Sequence, residues 1–351
     1  MRVLRRPIYW LVRKALNSYF VREELWRSNR DRFGRETAPH LPAIALARLP
    51  PGYGLARAEA APPRSQAPVF VTARFRSGST FLWQLFRAIE GVTAYYEPLN
   101  ERQWFRQPEH SPPSDPSHRD LDDYGAEYAG MADLQPLFDP NWGYRGLHMD
   151  ERSHDPRLFR YIDELIRRAE SRPVLQFNRV DLRLPWLRAH FPGAAVVHLY
   201  RHPREQWMSM QVKSRVPLAC TLDEFAQYDS FYTLPWARDL RVTFPFLEID
   251  QDIHPYALHY YLWRLSFAFG QAYAHLSLSY EELTGDFAGT FKKLLSDLAI
   301  EGAELERLGQ LNRGPVAPRW PDYADDRWFG VIEAECERTL RIYFASAPSP
   351  D

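Results

Sequence analysis

The chain has 351 residues, 45% of them apolar and 15% aromatic, and its 44 basic and 45 acidic side chains leave a net charge of -1. That length suits one large domain or two small ones, and the composition excludes a disordered chain, a collagen and a coiled coil. The balanced charge offers no general attraction to nucleic acid, so any anion site must be local.

All but four of the basic residues are arginines, the exceptions being Lys14, Lys213, Lys292 and Lys293, so a bound anion would meet guanidinium forks. The two cysteines, Cys220 and Cys336, lie far apart and carry no metal-ligand spacing, so neither a disulfide framework nor a metal is expected. No run of 18 apolar residues and no signal-peptide pattern is present, which makes the cytoplasm the expected location.

Residues 2–30 place Ile8, Leu11, Val12, Ala15 and Tyr19 at helical spacing among arginines, the pattern of an amphipathic helical arm. Such an arm either packs its stripe on the main domain or rests, through residues 1–30, on an anionic membrane surface. Residues 38–67 are rich in Pro and Ala without periodicity and read as a connector. Residues 1–67 thus precede a domain expected over residues 68–346.

From Pro68 onward short apolar runs alternate with helical patterns, which is the signature of βαβ units. The expected fold is α/β, with a central, mostly parallel sheet flanked by helices. The expected strands are Val69–Thr72, Val174–Phe177, Ala195–Tyr200 and His275–Ser279. Residues 102–160 interrupt this rhythm with Pro, Asp and Ser around Trp104, Phe105, Trp142 and Tyr144, the character of a functional insert. Its histidines, His110, His118, His148 and His154, have no metal spacing. Trp207, Trp236, Trp263 and the Tyr256–Tyr261 stretch are expected in the core.

The strand ending at Thr72 runs into Ala73-Arg74-Phe75-Arg76-Ser77-Gly78-Ser79-Thr80, and a helix pattern begins at Phe81. A strand, a tight turn and a helix N-terminus aim free N–H groups and a positive dipole end at one point, which suits a phosphate or sulfate. Taken alone it is equally an ordinary βα turn with a hydroxyl cap. It is not a Walker loop, because no lysine precedes the final hydroxyl. Further on, the run Ala195–Tyr200 ends at Arg201, and Pro203 suits a first helical turn that leaves Ser209 about two turns along. Arg201 and Ser209 then face one anion, or are unrelated surface residues.

Together these two motifs resemble the sulfotransferases that use 3′-phosphoadenosine 5′-phosphosulfate (PAPS). In that family a strand–loop–helix of pattern [RK]-S-G-[ST]-[ST] holds the 5′-phosphosulfate; here it reads Arg76-Ser77-Gly78-Ser79-Thr80. A second strand ends in an Arg with a Ser eight positions on, which Arg201 and Ser209 match. A later strand is followed by Y-E-[DE]-L, here Tyr280-Glu281-Glu282-Leu283, whose tyrosine contacts the adenine, and then by a helix resembling Phe287 to Leu298. Arg313-Gly314 loosely resembles a C-terminal loop whose arginine reaches the 3′-phosphate. Phe81 stands where some members carry an adenine-stacking Trp, and Arg76 where many carry Lys. The resemblance spans residues 69–315 and implies a P-loop-like α/β fold, PAPS as co-substrate, an acceptor molecule as second substrate, and no metal.

Sulfuryl transfer rests on positioning and charge neutralisation, with a general base for an acceptor of high pKa. Members acting on carbohydrate or tyrosine place a Glu twenty-one residues beyond the loop arginine, and Arg76 to Glu97 has that spacing. Glu97 is the expected base, with Glu101 next; the competing reading is that Glu97 pairs with a nearby arginine. Many cytosolic members use a His after the next strand, where this chain has Gln176-Phe177-Asn178-Arg179. Arg179 then replaces a family lysine near the sulfuryl group, or serves a structural ion pair. Two further readings differ in class: an ATP-dependent kinase, which would need the missing Walker lysine, and a membrane-associated nucleotide-binding scaffold without activity. The acceptor, carbohydrate, lipid or small metabolite, is not named by the sequence.

Overall fold

The computed structural model describes residues 66–106, 123–250 and 252–345. The helical arm expected over 2–30, nearly all of the connector, His110 and His118 lie outside the described residues. Five strands form the centre: β1 (Val69–Ala73), β2 (Val92–Tyr96), β3 (Arg172–Phe177), β4 (Ala195–Tyr200) and β5 (Leu276–Ser279). All pair in parallel, in the order β2-β3-β1-β4-β5. Every residue of β1 and β3 is buried, as strands covered by helices on both faces require.

The expected strands agree with the observed ones to within two residues: β1 runs on through Ala73, β3 starts at Arg172, and β5 starts at Leu276 rather than His275. The fifth strand, β2, was not among the expected runs. It lies at the sheet edge, where its first two residues are half-buried, so Val92-Thr93-Ala94-Tyr95-Tyr96 never had to be uniformly apolar.

Helix α1 (Ser79–Arg87) packs on β1, β2 and β3. It buries Trp83 completely and satisfies the indole N–H on Ala94 O at 2.7 Å, so Trp83→Ala costs about 3–5 kcal/mol. Helix α2 (Pro156–Arg168) starts where Asp155 accepts from Leu158 N–H at 2.9 Å, an N-cap followed by a proline at the first position. Short helices α3 (Leu184–His190), α4 (Pro203–Met210), α5 (Leu222–Phe225) and α6 (Thr233–Leu240) follow. Helix α7 (Pro255–Tyr273) is apolar nearly all round and packs against β4. A Cβ on its Gly270 would stand 2.1 Å from the His198 ring, so the close approach of helix to strand requires glycine there.

After β5 come α8 (Tyr280–Gly285), α9 (Phe287–Asp297), α10 (Leu305–Gly309) and the long α11 (Asp326–Ala345), which lies along α7. Within the insert expected over 102–160, the described residues carry short 3-10 helices joined by turns, and the insert ends earlier than expected because α2 already begins at Pro156. Its described residues bury Phe105, Phe138 and Trp142 against Tyr161 of α2. Trp207, Trp236 and Tyr256–Tyr261 are buried, while Trp263 is half-buried.

The connectivity determines where a ligand can sit. From β1 the chain runs outward to β2, returns to β3, then passes β1 to reach β4. The segments leaving β1, β3 and β4 therefore meet where the strand order reverses, the crevice in which open α/β sheets bind ligands.

Candidate active site

The turn after β1 is built on two left-handed residues, Arg76 at φ 67° and Gly78 at φ 89°. Ser77 N–H closes it on Arg74 O at 3.3 Å, and α1 begins at Ser79 with no side-chain cap. The N–H groups of the first helical turn are thereby left without intrahelical acceptors. Gly78 is required twice over, because a Cβ there would lie 2.2 Å from Tyr280 Cδ2. Tyr280 thus lies flat on the turn, and the Arg201 guanidinium carbon sits 4.9 Å from its ring centre.

The second motif reaches the same place. Arg76 Nε donates to Ser209 O at 2.9 Å and to Ser209 Oγ at 3.1 Å, while Arg201 Nη1 donates to Arg76 O at 3.4 Å. Arg201 also faces Glu205 Oε2 at 3.5 Å, one helical turn on. Burial lowers the Arg201 pKa, against the pull of Tyr280 and Glu205. Its Nε is buried with no hydrogen-bond partner, an unspent donor of a kind that usually marks a missing acceptor. Glu205 further accepts from the N–H groups of Arg319 at 2.5 Å and Trp320 at 3.0 Å. One carboxylate thus ties the segment before α11 to the arginine at the end of β4.

A third cluster grows from the end of β2. Glu97 is buried and held at φ 38°, a conformation that costs a non-glycine residue about 1–3 kcal/mol. Its carboxylate accepts from Asn178 Nδ2, from Asn100 Nδ2 at 2.6 Å and from Arg179 Nη1 at 3.1 Å. Arg179 Nη2 donates to Glu101 Oε2 at 2.7 Å, and Tyr232 OH donates to the other Glu101 oxygen. Burial alone would lower the Arg179 pKa, but Glu97 and Glu101 outweigh it and hold the guanidinium above its ordinary value. Burial likewise would raise Glu101, and Arg179 with Tyr232 brings it below the usual carboxylate range. Ser79 Oγ donates to Asn178 Oδ1 at 3.0 Å, and Thr80 Oγ1 meets Tyr96 OH at 3.1 Å, so the turn and the carboxylate cluster share one polar network.

These groups line a single cleft of about 700 Å³. Of the residues singled out from the sequence, Arg76, Gly78, Ser79, Thr80 and Phe81 stand on its wall, as do Arg201, Ser209, Tyr280, Arg313, Glu97 and Arg179. Glu101 lines it as well. Ser77 and Gly314 do not. The Ser77 side chain is buried behind the turn, where it accepts from Gln206 Nε2 at 2.6 Å. Gly314 instead donates its N–H to Asn312 Oδ1 at 3.1 Å, within the loop that carries Arg313 to the wall.

Sequence reasoning missed the wall formed by Phe231 and Tyr232, and it missed Arg319. Tyr232 is left-handed at φ 60°, and Asp229 fixes the turn by accepting from Thr233 N–H at 2.9 Å and Leu234 N–H at 2.8 Å. An Asp four residues before a helix start was the available signal; for Arg319 there was none. Three of the non-glycine residues at positive φ, Arg76, Glu97 and Tyr232, thus line one cleft.

Similar solved structures include a mouse sulfotransferase, SULT7A1, complexed with PAP, at 12% identity and TM-score 0.38 over 81% of this chain and 88% of that one. The sulfotransferase domain of the curacin biosynthetic pathway is 14% identical with TM-score 0.38, covering 83% of this chain and 100% of its own. The sulfotransferase domain of the Synechococcus PCC 7002 olefin synthase is 18% identical with TM-score 0.36, over 84% and 94%. No curated protein matches the chain. The sulfotransferase family model matches residues 68–304, about two thirds of the sequence and the whole span of the five strands. The chain belongs to the sulfotransferase family.

Proposed function

We propose that this sulfotransferase takes its sulfuryl group from PAPS and passes it to a hydroxyl or amine of a carbohydrate, lipid or small-metabolite acceptor, with Glu97 as general base. The observation that carries the reading is the joining of two anion-binding motifs in one cleft by the Arg76–Ser209 hydrogen bonds. The residues fit a doubly phosphorylated nucleotide. At one end the first turn of α1 presents unspent N–H groups beside Arg76; at the other, Arg201 keeps an unpartnered buried Nε.

Arg76, Ser79, Thr80 and the N–H groups of the turn would hold the 5′-phosphate, and Arg201, Ser209 and Arg313 the 3′-phosphate. Tyr280 and Phe81 flank the space for the adenine. Transfer forms a bond from the acceptor oxygen or nitrogen to sulfur as the bond from sulfur to the 5′-phosphate oxygen breaks. The developing charge on that phosphate falls on the guanidinium and N–H donors. The proton lost by the acceptor goes to a Glu97 oxygen. The contacts of that carboxylate, Asn100, Asn178, Arg179 and Tyr96, are all donors, so taking the proton requires one of them to turn away. Arg179, held between Glu97 and Glu101, is the cation that would act on the transferred group.

Titration with adenosine 3′,5′-bisphosphate tests the nucleotide assignment, and heat-detected binding at micromolar concentration is expected. A chain that transfers no radiolabelled sulfate from PAPS to any of a panel of sugars, phenols and amines would leave only the scaffold reading.

A further inference from the structure

The cleft holds a hydrogen-bond relay that connects two residues of the proposed chemistry, Ser79 and Glu97. Asn178, just past β3, accepts at Oδ1 from Ser79 Oγ at 3.0 Å and from Gln176 Nε2 at 2.8 Å, and donates from Nδ2 to Glu97 Oε1. All four side chains are buried. The amide can take only one orientation: turned over, its nitrogen would meet the Gln176 NH₂ group and its oxygen would meet the carboxylate. Ser79 therefore spends its hydroxyl hydrogen on Asn178, although it stands at the start of α1 where an anion is to be bound.

We propose that Asn178 is a positioning residue that couples occupancy of the turn after β1 to the hold on the Glu97 carboxylate. The proposal rests on the nucleotide reading above. An incoming phosphate oxygen is a stronger acceptor than a neutral amide, because the bond to it is charge-assisted, and it draws the Ser79 hydroxyl away from Asn178. Members of such a chain strengthen one another, so loss of the Ser79 bond weakens the Asn178 grip on Glu97. Two links join that carboxylate to the turn after β1, one through Thr80 and Tyr96 and one through Ser79 and Asn178; in the second, the acceptor that an arriving phosphate must displace is the neutral amide oxygen of Asn178. Asn178 is thus the contact that loosens when the nucleotide arrives, leaving Glu97 Oε1 available for the acceptor proton.

The test is a double-mutant cycle on the full chain, with adenosine 3′,5′-bisphosphate as the ligand in calorimetry. Ser79→Ala weakens binding by about tenfold or more, the value of a charge-assisted bond. Asn178→Ala frees the Ser79 hydroxyl from its competing partner and tightens binding by about three- to tenfold. In the Ser79→Ala background the same substitution changes affinity by less than about twofold. Gln176→Leu removes the other donor to Asn178 Oδ1 but keeps the Ser79 bond, and so does not tighten binding, which separates the relay from a general loosening of the site. Release of radiolabelled sulfate from PAPS into water gives the second readout: with the bond to Glu97 already absent, Asn178→Ala lowers the KM for PAPS by about three- to tenfold and does not lower kcat.

Equal effects of Asn178→Ala in both Ser79 backgrounds, or a raised KM with kcat unchanged, would overturn the proposal while leaving nucleotide binding intact. Absence of binding by the unsubstituted chain would instead overturn the nucleotide reading itself. Thermal unfolding of each variant shows whether it is folded, and Asn178→Ser, which also removes the amide but adds no charge, repeats the comparison should Asn178→Ala melt at the assay temperature.

Discussion

Arg76 Nε donates to both the carbonyl oxygen and the hydroxyl of Ser209, at 2.9 and 3.1 Å, across a sequence separation of 133 residues. A side chain from the turn after β1 thereby ends on the last turn of α4. The turn after β1 and the segment from Arg201 to Ser209 are thus joined directly by hydrogen bonds. Arg201 closes the loop by donating back to Arg76 O at 3.4 Å.

Removing Arg201 breaks this junction at its charged end. Arg201→Ala is expected to weaken adenosine 3′,5′-bisphosphate binding by about 2–5 kcal/mol, since the variant loses a phosphate partner and leaves Glu205 with Arg319 as its remaining cation. Calorimetry on the purified variant reads this directly, and an unchanged dissociation constant would remove Arg201 from the nucleotide site.

Glu97→Gln retains the size of the side chain but not its ability to take a proton. Turnover should fall by roughly 10²–10⁴-fold, with nucleotide affinity within a few-fold of the starting value. A variant that still transfers sulfate at the original rate would shift the role of base to Glu101 or to a group on the acceptor.

Gly78→Ala combines two separable penalties. The left-handed backbone costs alanine about 1–2 kcal/mol, and the new Cβ would meet the Tyr280 ring at 2.2 Å. In a Tyr280→Ala background the steric part disappears and the backbone part stays. The difference between the two melting-point drops therefore measures the contact, and equal drops would mean that Tyr280 does not rest on the turn.

The stability of the fold should depend on pH through two buried histidines. Burial lowers His198 and His259 from their ordinary value to about 3, with Arg74 adding to the effect at His259. The unfolded chain, with imidazoles near about 6.5, takes up protons first as the pH drops. Stability from both residues is complete above that value and is lost progressively toward pH 3. Melting temperature should therefore fall steadily between pH 7 and 4. His198→Gln should flatten the slope, since it removes one titrating group while retaining a polar partner for Ser277; an unaltered slope would exclude His198 as a source.

Strands β1, β3 and β4 were legible as short apolar runs buried almost throughout; the two edge strands are only partly covered, and of these β5 was legible in its alternating Leu and Ser while β2 was not. The turn at Arg76–Thr80 and the Arg201–Ser209 spacing were legible because each is local: a strand end, a proline at a helix start and eight residues of helix fix where the side chains go. Ser77 shows the limit of such reading. Its place in the motif is unambiguous, yet the turn points its hydroxyl backward to Gln206, and no local rule distinguishes the two sides of a turn. Arg179 was left between two roles, and both its carboxylate partners come from the segment after β2. Phe231 and Tyr232 follow Asp229, whose local turn was a signal left unread, while Arg319 reaches the cleft from a loop whose path depends on tertiary packing.

The left-handed backbone at Arg76, Glu97 and Tyr232 has an evolutionary corollary. Glycine at any of these positions would relax the chain, so a search for thermostable variants would be drawn to the very residues that shape the cleft. Sequences optimised for heat resistance alone should drift toward a sturdier but catalytically silent protein.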